Sequence, residues 1–400
     1  MKEIYLDNAA TTPCDQKILK KMESFWSKIY GNPSSFNDAG RNSKKNLDEA
    51  RTKIAKILGA KNQEIIFTSS ATESNNLAVF GVFKDLKNKK AEIITTPIEH
   101  PSILGPIKKL EKDGAKVHYL SVNKEGLIDL NEFKKTLTPD TVLVSIIYVN
   151  NEIGTIQPIK KIAKTVKEFR KNNPYPYLHI DAAQAGNLDI NVNNLGVDLM
   201  TLSSHKIYGP KGAAALYVRR GIEIEPIMYG GGQEFNLRPS TEAVPLIIGF
   251  ASALEKTQKS KIKTLENQER LRNYFINELK RSVLTAKING PKEKQNRNPN
   301  IINMTFPTIE NEQLLLQLDK YGIRASAGSA CTSKNIEPSH VLLAVGLSKK
   351  ETRSSIRFSL GNKTSQADLS YVLKILPKMV KKIEGLYPKD LKKHYYGRVD

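Results

Sequence analysis

Residues 197–212 read VDLMTLSSHKIYGPKG. The first six residues make a short apolar run, bounded on its far side by a Gly-Pro turn, and such a run reads as a buried strand. Two serines, His205 and Lys206 stand where that strand stops. A lysine that follows a buried strand and precedes a Gly-Pro turn is poorly placed for the surface. Partial burial disfavours its ammonium form and turns it into a nucleophilic amine.

The same design recurs upstream. EIIFT at 64–68 runs into Ser69, Ser70, Ala71, Thr72 and Glu73, and EIIT at 92–95 leads to Glu99, His100, Pro101 and Ser102. TVLVSII at 141–147 leads to Asn150, Asn151 and Glu152, and YLHI at 177–180 leads to Asp181, Ala182, Ala183 and Gln184. Helical patterns such as residues 159–171 separate these runs. Strands alternating with helices from about residue 50 to 260 predict a mostly parallel sheet covered by helices on both faces. In such sheets ligands bind outside the carboxyl ends of the strands.

Each polar cluster alone has an ordinary reading: a helix cap, a loop histidine, turn amides. The ordered series of five is more specific. It supplies small and hydroxyl residues opening a helix, which make a phosphate site, a carboxylate at residue 181 and a candidate covalent lysine at 206. Those are the recurring needs of pyridoxal phosphate.

Downstream the pattern changes. A charged helical segment spans about 261–282, followed by a polar loop at 291–299, a strand-like IINMTF at 301–306, a helix near 310–320, a strand-like run at 356–359 and a last helix near 365–385. This predicts a smaller α+β unit.

The 400 residues carry 62 Lys and Arg against 41 Asp and Glu, a net charge of +21. The lysines are spread along the chain, as on a solvated surface, and no nucleic-acid motif accompanies them, so nucleic acid is not the expected partner. An acidic protein partner is compatible with that charge. The apolar stretch at 243–251 falls short of the roughly 20 residues that span a bilayer, and residues 1–13 have no signal-peptide pattern. The expected location is cytoplasmic, with no membrane partner. Two cysteines, Cys14 and Cys331, cannot make a disulfide framework, and two free thiols are expected.

Ten runs carry a family resemblance: YLDNAATTP (5–13), GNPSS (31–35), TSSATESNN (68–76), EHPS (99–102), VNNEIGTIQPI (149–159), HIDAAQ (179–184), SSHKIYGPKG (203–212), GGGQE (230–234), SAGSACTS (326–333) and IRFSLG (356–361). In this set and order the chain resembles the NifS/IscS cysteine desulfurases of the class V aminotransferase group, over about residues 4–386. The resemblance implies a fold-type I pyridoxal-phosphate transferase. Its large α/β unit, mostly a parallel sheet covered by helices, would span 16–260. A small α+β unit would be built from 1–15 and 261–386 and carry a mobile cysteine loop at 325–335, and 387–400 would form a tail.

The resemblance also implies roles. Lys206 would hold the cofactor covalently, Asp181 would pair with its ring nitrogen, Gln184 would donate to the ring oxygen and His100 would stack on the ring. Ala71, Thr72, Ser203 and His205 would hold the phosphate. Thr241 would reach the phosphate of a neighbouring subunit, which implies a homodimer. Asn151, beside the cofactor, and Arg357 would hold the substrate carboxylate, a task suited to the planar fork of arginine. The family's usual R-S-G-T is here Arg238-Pro239-Ser240-Thr241, and proline fixes φ and removes an N–H.

The implied reaction takes sulfur from L-cysteine. Lys206, freed by the substrate, would move the Cα proton, and Cys331 as thiolate would attack the substrate sulfur, leaving a persulfide and alanine. A free thiol with pKa about 8.5 needs activation, for which His100 and the substrate thiol are candidates. Residues 325–333, ASAGSACTS, contain no large apolar group, so the segment is expected to be mobile, as a thiol that delivers sulfur to an acceptor or iron–sulfur scaffold protein requires. No resident metal is expected, and Cys331 is a candidate transient iron–sulfur ligand. Cys14 reads as a bystander. Two other readings compete. The first is a different enzyme on the same scaffold, such as a selenocysteine lyase or an aminotransferase, the latter needing no cysteine nucleophile. The second is a non-enzymatic binding protein, which would not need Lys206.

Overall fold

The computed structural model describes residues 2–83, 91–307, 309–328 and 338–386. In chain order the strands are β1 (Ile4–Tyr5), β2 (Ile65–Thr68), β3 (Glu92–Thr95), β4 (Lys116–Tyr119), β5 (Thr141–Ile147), β6 (Tyr177–Asp181), β7 (Leu199–Ser203), β8 (Ala214–Val218), β9 (Lys287–Asn289), β10 (Ile301–Thr305), β11 (Ile323–Arg324) and β12 (Ser355–Ser359). The helices are α1 (Gln16–Ser27), α2 (Asp38–Leu58), α3 (Ala71–Phe83), α4 (Pro101–Lys112), α5 (Leu130–Thr136), α6 (Ile159–Phe169), α7 (Val192–Leu195), α8 (Val244–Ser282), α9 (Asn311–Lys320), α10 (His340–Ala344), α11 (Lys349–Arg353) and α12 (Gln366–Leu386).

Seven strands form one sheet in the order β2-β8-β7-β6-β5-β3-β4. The pairs β7–β6, β6–β5, β5–β3 and β3–β4 are parallel, and β8 runs antiparallel to both β2 and β7. Alternate residues feed opposite faces: Ile65 and Phe67 enter one core and Ile66 the other. Both faces are covered, which is why β5 is apolar along nearly its whole length rather than alternating. Helix α2 shows the matching helical logic. Leu47, Ile54 and Leu58 fall on one buried stripe; Asn37 caps its start and Gly59, at φ 68°, ends it.

The second core gathers the antiparallel sheet β12-β10-β9, the parallel pair β1–β11, and α9 and α12. Ile302, Met304, Leu314, Phe358 and Val372 are buried there, and Phe275 meets Phe358 edge-on at 5.3 Å. Ile4 and Leu6 also belong to it, so the start of the chain packs with its last third.

Helix α8 joins the two cores. Ile247, Phe250, Ala251 and Leu254 pack in the first, and Leu271, Phe275 and Leu279 in the second. The charged helix expected near 261–282 begins earlier, at Val244. Its first turns pass beside α1 and α2 and are apolar on most sides, so they show no 3.6-residue period. Strand β8 was not anticipated from the sequence, and β4, with its exposed ends, lacks an apolar run. A smaller cluster of Ile98, Ile147 and Ile153 with Val341, Leu342 and Val345 fastens α10 to the strand ends of the large sheet.

Candidate active site at the strand ends

Because β7, β6, β5 and β3 lie side by side and parallel, their carboxyl ends share one edge. Ser203 to Lys206, Asp181 to Gln184, Asn151 and His100 all follow from that edge. Lys206 lies in a short 3-10 turn after β7, and its Nζ donates to the carbonyls of Ala9 (2.6 Å) and Ala10 (2.7 Å). Gln184 Nε2 donates to the same Ala9 carbonyl at 2.8 Å. His205 Nδ1 meets the hydroxyl of Thr11 at 3.0 Å, while Thr12 donates to the His205 carbonyl at 2.9 Å. Residues 9–12 therefore run directly over the lysine. Burial, then Lys206 and Lys211, push His205 down to about 4, so its ring is neutral at pH 7.

Asp181 closes β6, and both its oxygens are engaged. Oδ2 accepts from Asn75 Nδ2 at 2.9 Å and Oδ1 from the Ala183 amide at 2.9 Å. Asn75, fully buried on α3, also donates to Ser102 Oγ at 2.8 Å, and Ser102 Oγ lies 2.8 Å from His100 Nδ1. The Ser102 amide donates to the same Nδ1 at 3.1 Å. Nδ1 is thus an acceptor, which leaves the neutral ring's proton on Nε2. Burial holds His100 below the usual histidine value; Asp181 opposes this, while Lys206 and His340 add to it. One chain of contacts joins Asp181, Asn75, Ser102 and His100. Asn75 and Ser102 lie inside motifs quoted above, but their roles were missed. The available signal was a polar residue on an otherwise apolar helix face.

Ala71 and Thr72 open α3, which packs against β7. Ser203 Oγ, at the end of β7, is buried without a partner. Glu73 in the first turn of α3 is ion-paired to Arg238 at 2.8 Å. That arginine belongs to the loop carrying Thr241, which is exposed ahead of α8. Glu234, Phe235, Asn236 and Ser240 in this loop all have positive φ, and Ser240, at 93°, stands one position after the proline that marks the sequence departure.

Arg357 reaches the site from β12 and is 1% exposed. Its Nη1 donates to the Asn151 carbonyl at 2.9 Å, its Nη2 to Asp7 Oδ1 at 2.7 Å, and its Nε has no partner. Asn151 and Arg357, some 200 positions apart, are therefore in contact.

Cys331 lies outside the described residues, as do 329–337 and the expected tail at 387–400. The flanks of that segment are described. Ser339 donates to Glu152 Oε2 at 2.6 Å, and His340 Nε2 lies 2.9 Å from the Glu99 carbonyl. Gly328, at φ 103°, backs onto the same carboxylate, where an added Cβ would sit 2.9 Å from Oε2. Both flanks thus meet loops of the large sheet through Glu152, a residue the sequence did not single out. Cys14 is half-buried against the large core, and burial raises its thiol pKa.

A family model described as aminotransferase class-V matches residues 4–372. The chain belongs to the class-V aminotransferase family. Among relatives of this class-V chain is the cysteine desulfurase IscS of Dictyoglomus turgidum, 45% identical over 97% of both chains. A solved NifS-like protein superposes with a TM-score of 0.89 at 36% identity, covering 95% of this chain and all of the other. SspA, solved in complex with cysteine, superposes at 0.75 with 35% identity, covering 90% of this chain and 99% of the other.

The family depends on pyridoxal phosphate, and the residues of this site fit it. An amine and a carboxylate stand on adjacent strand ends. The orphaned Ser203 hydroxyl costs about 1–3 kcal/mol unless an acceptor or donor meets it, and a phosphate oxygen at the start of α3 would.

Proposed function

We propose that the chain is a pyridoxal-phosphate-dependent cysteine desulfurase that moves sulfur from L-cysteine onto Cys331 and releases L-alanine. One observation carries this reading: the Lys206 amine and the Asp181 carboxylate stand on neighbouring ends of parallel strands, with Lys206 and Gln184 sharing the Ala9 carbonyl. The bound cofactor supplies an electron sink for the substrate Cα.

The chain's own residues do the rest. Lys206 attaches the cofactor and moves the Cα proton. Asp181, oriented by Asn75 and Ala183, keeps the proton on the ring nitrogen. His100, with Nδ1 filled by Ser102, presents its face and its Nε2–H. Ala71, Thr72, Ser203 and His205 hold the phosphate. Asn151 and Arg357 orient the substrate carboxylate. The Cys331 thiolate attacks the substrate sulfur; the new S–S bond forms as the carbon–sulfur bond breaks, and the carbon keeps the electron pair and takes a proton.

The two cores support a large unit over 16–260 and a small one from 1–15 and 261–386, with α8 continuous between them. We assign the enzyme to the cytoplasm as a homodimer in which Thr241 serves the partner's phosphate. Among the described residues no helix is long and apolar enough to cross a membrane. The net charge of +21 favours an acidic sulfur acceptor, such as an iron–sulfur scaffold or a tRNA-thiolation protein, whose binding should weaken with salt.

The test is mass spectrometry after adding L-cysteine, which should find one extra sulfur on the Cys331 peptide. The Lys206→Ala variant should lose the visible cofactor absorbance. A Cys331→Ala variant that still desulfurates cysteine would overturn the reading.

A further inference from the structure

Arg357 offers a carboxylate two edges, and most of that capacity is already taken. Nη1 is committed to the Asn151 carbonyl. Nε and Nη2 form the edge on which a carboxylate binds side-on through both oxygens. Nε is buried and unpartnered, but Nη2 is held by Asp7 at 2.7 Å. Any substrate carboxylate that takes this edge must displace Asp7 from one of its two corners.

Asp7 is built for that exchange. Its backbone is pinned beside β12 by a bridge to Ser359, and its carbonyl accepts from the Ala10 amide at 3.0 Å. Its side chain keeps 19% exposure against 1% for Arg357, so the carboxylate has a path to solvent while the guanidinium does not. An incoming carboxylate brings its own negative charge, so the buried cation keeps a counter-charge when Asp7 leaves. Asp7 also begins the stretch whose Ala9 and Ala10 carbonyls hold Lys206, which couples the two polar ends of the site through one short segment.

We propose that Asp7 is an internal stand-in for the substrate carboxylate, occupying the Nη2 corner of Arg357 until an amino acid takes the Nε–Nη2 edge, and thereby setting the affinity of the site for amino acids. This rests on reading Arg357 as the carboxylate clamp.

The experiment titrates the holoenzyme with L-alanine and with L-alaninamide, which lacks the carboxylate, while following the cofactor absorbance in wild type, Asp7→Asn, Asp7→Ala and Arg357→Lys. Removing the competitor should tighten L-alanine binding about tenfold in Asp7→Ala, the scale of one charge-assisted hydrogen bond. The gain should be smaller in Asp7→Asn, whose amide oxygen still accepts, and alaninamide binding should not change. In turnover, KM for L-cysteine should fall without a rise in kcat. Unchanged or weaker L-alanine binding in a folded Asp7→Asn overturns the proposal, as does an equal gain for alaninamide. If Arg357→Lys leaves L-alanine binding intact, the clamp reading itself has failed, and the role of Asp7 falls with it.

Discussion

Ser240 holds φ at 93°, a region open to glycine and costly for a side chain with a Cβ. Ser240→Gly should therefore raise stability by about 1 kcal/mol, read as a higher denaturant midpoint at unchanged m-value. Glu99 supplies a pH signature. It is fully buried; Oε1 accepts from the Ile147 amide and from Thr96, and Oε2 has no partner. Burial, with a smaller push from Asp181, raises its carboxyl to about 8 against the opposing hydrogen bonds. Between the ordinary carboxylate value and about pH 8 the folded chain holds a proton that the unfolded chain has lost, so this group's stabilisation fades as pH rises through that window. Unfolding midpoints measured from pH 5 to about 8 should fall less steeply in Glu99→Gln than in wild type.

At the scale of elements, α8 is the piece that makes one molecule of two cores. At about 1.5 Å per residue its 39 residues span about 58 Å. Phe250 and Phe275 lie on it, both fully buried, in different cores. Each Phe→Ala change should cost about 3–5 kcal/mol through lost burial and the cavity left behind. The two losses should add within about 0.5 kcal/mol, because the sites share no neighbours. Chemical denaturation of the single and double variants checks this. A coupling well above that range would mean the helix transmits strain between the cores. The strand-end edge depends on elements in a simpler way: parallel pairing places every carboxyl end on one side, so residues that merely follow strands become neighbours.

At the scale of the whole molecule, the described surface carries large exposed aromatics in two stretches: Trp26, Tyr30 and Phe36 before α2, and Tyr229 and Phe235 in the loop ahead of α8. Phe36 is 94% exposed and Tyr229 72%. The buried Arg51–Glu234 pair ties α2 to that second loop. Exposed apolar groups of this size mark an interaction surface, which accords with a homodimer. Light scattering should give twice the chain mass. Phe36→Asp and Tyr229→Asp should shift it toward the single chain and, on the proposed role of Thr241 at the partner's phosphate, should loosen cofactor retention on desalting. A wild-type protein that runs as a monomer at micromolar concentration would exclude this arrangement.

Local pattern was enough for much of the large sheet. β3 and β5 run as their apolar runs suggested, and the polar residues after β6 and β7 stand where a parallel sheet must put them, because strand period and the direction of βα units are short-range properties. Distance along the chain hid the rest. Nothing in the periodicity of residues 1–15 says that Ala9 and Ala10 will accept from Lys206, or that Asp7 will pair with an arginine 350 positions away. Nor does it reveal that Asn75 will bridge Asp181 to Ser102, that β8 will enter the sheet antiparallel, or that α8 will begin at Val244. The Lys206 contacts exist only after the start of the chain, packed in the second core, has closed over the large sheet, whereas those of Asn75 and β8 wait on the assembly of the large sheet and its helices. Close packing, together with the need of each buried charge and amide for a partner, selected them.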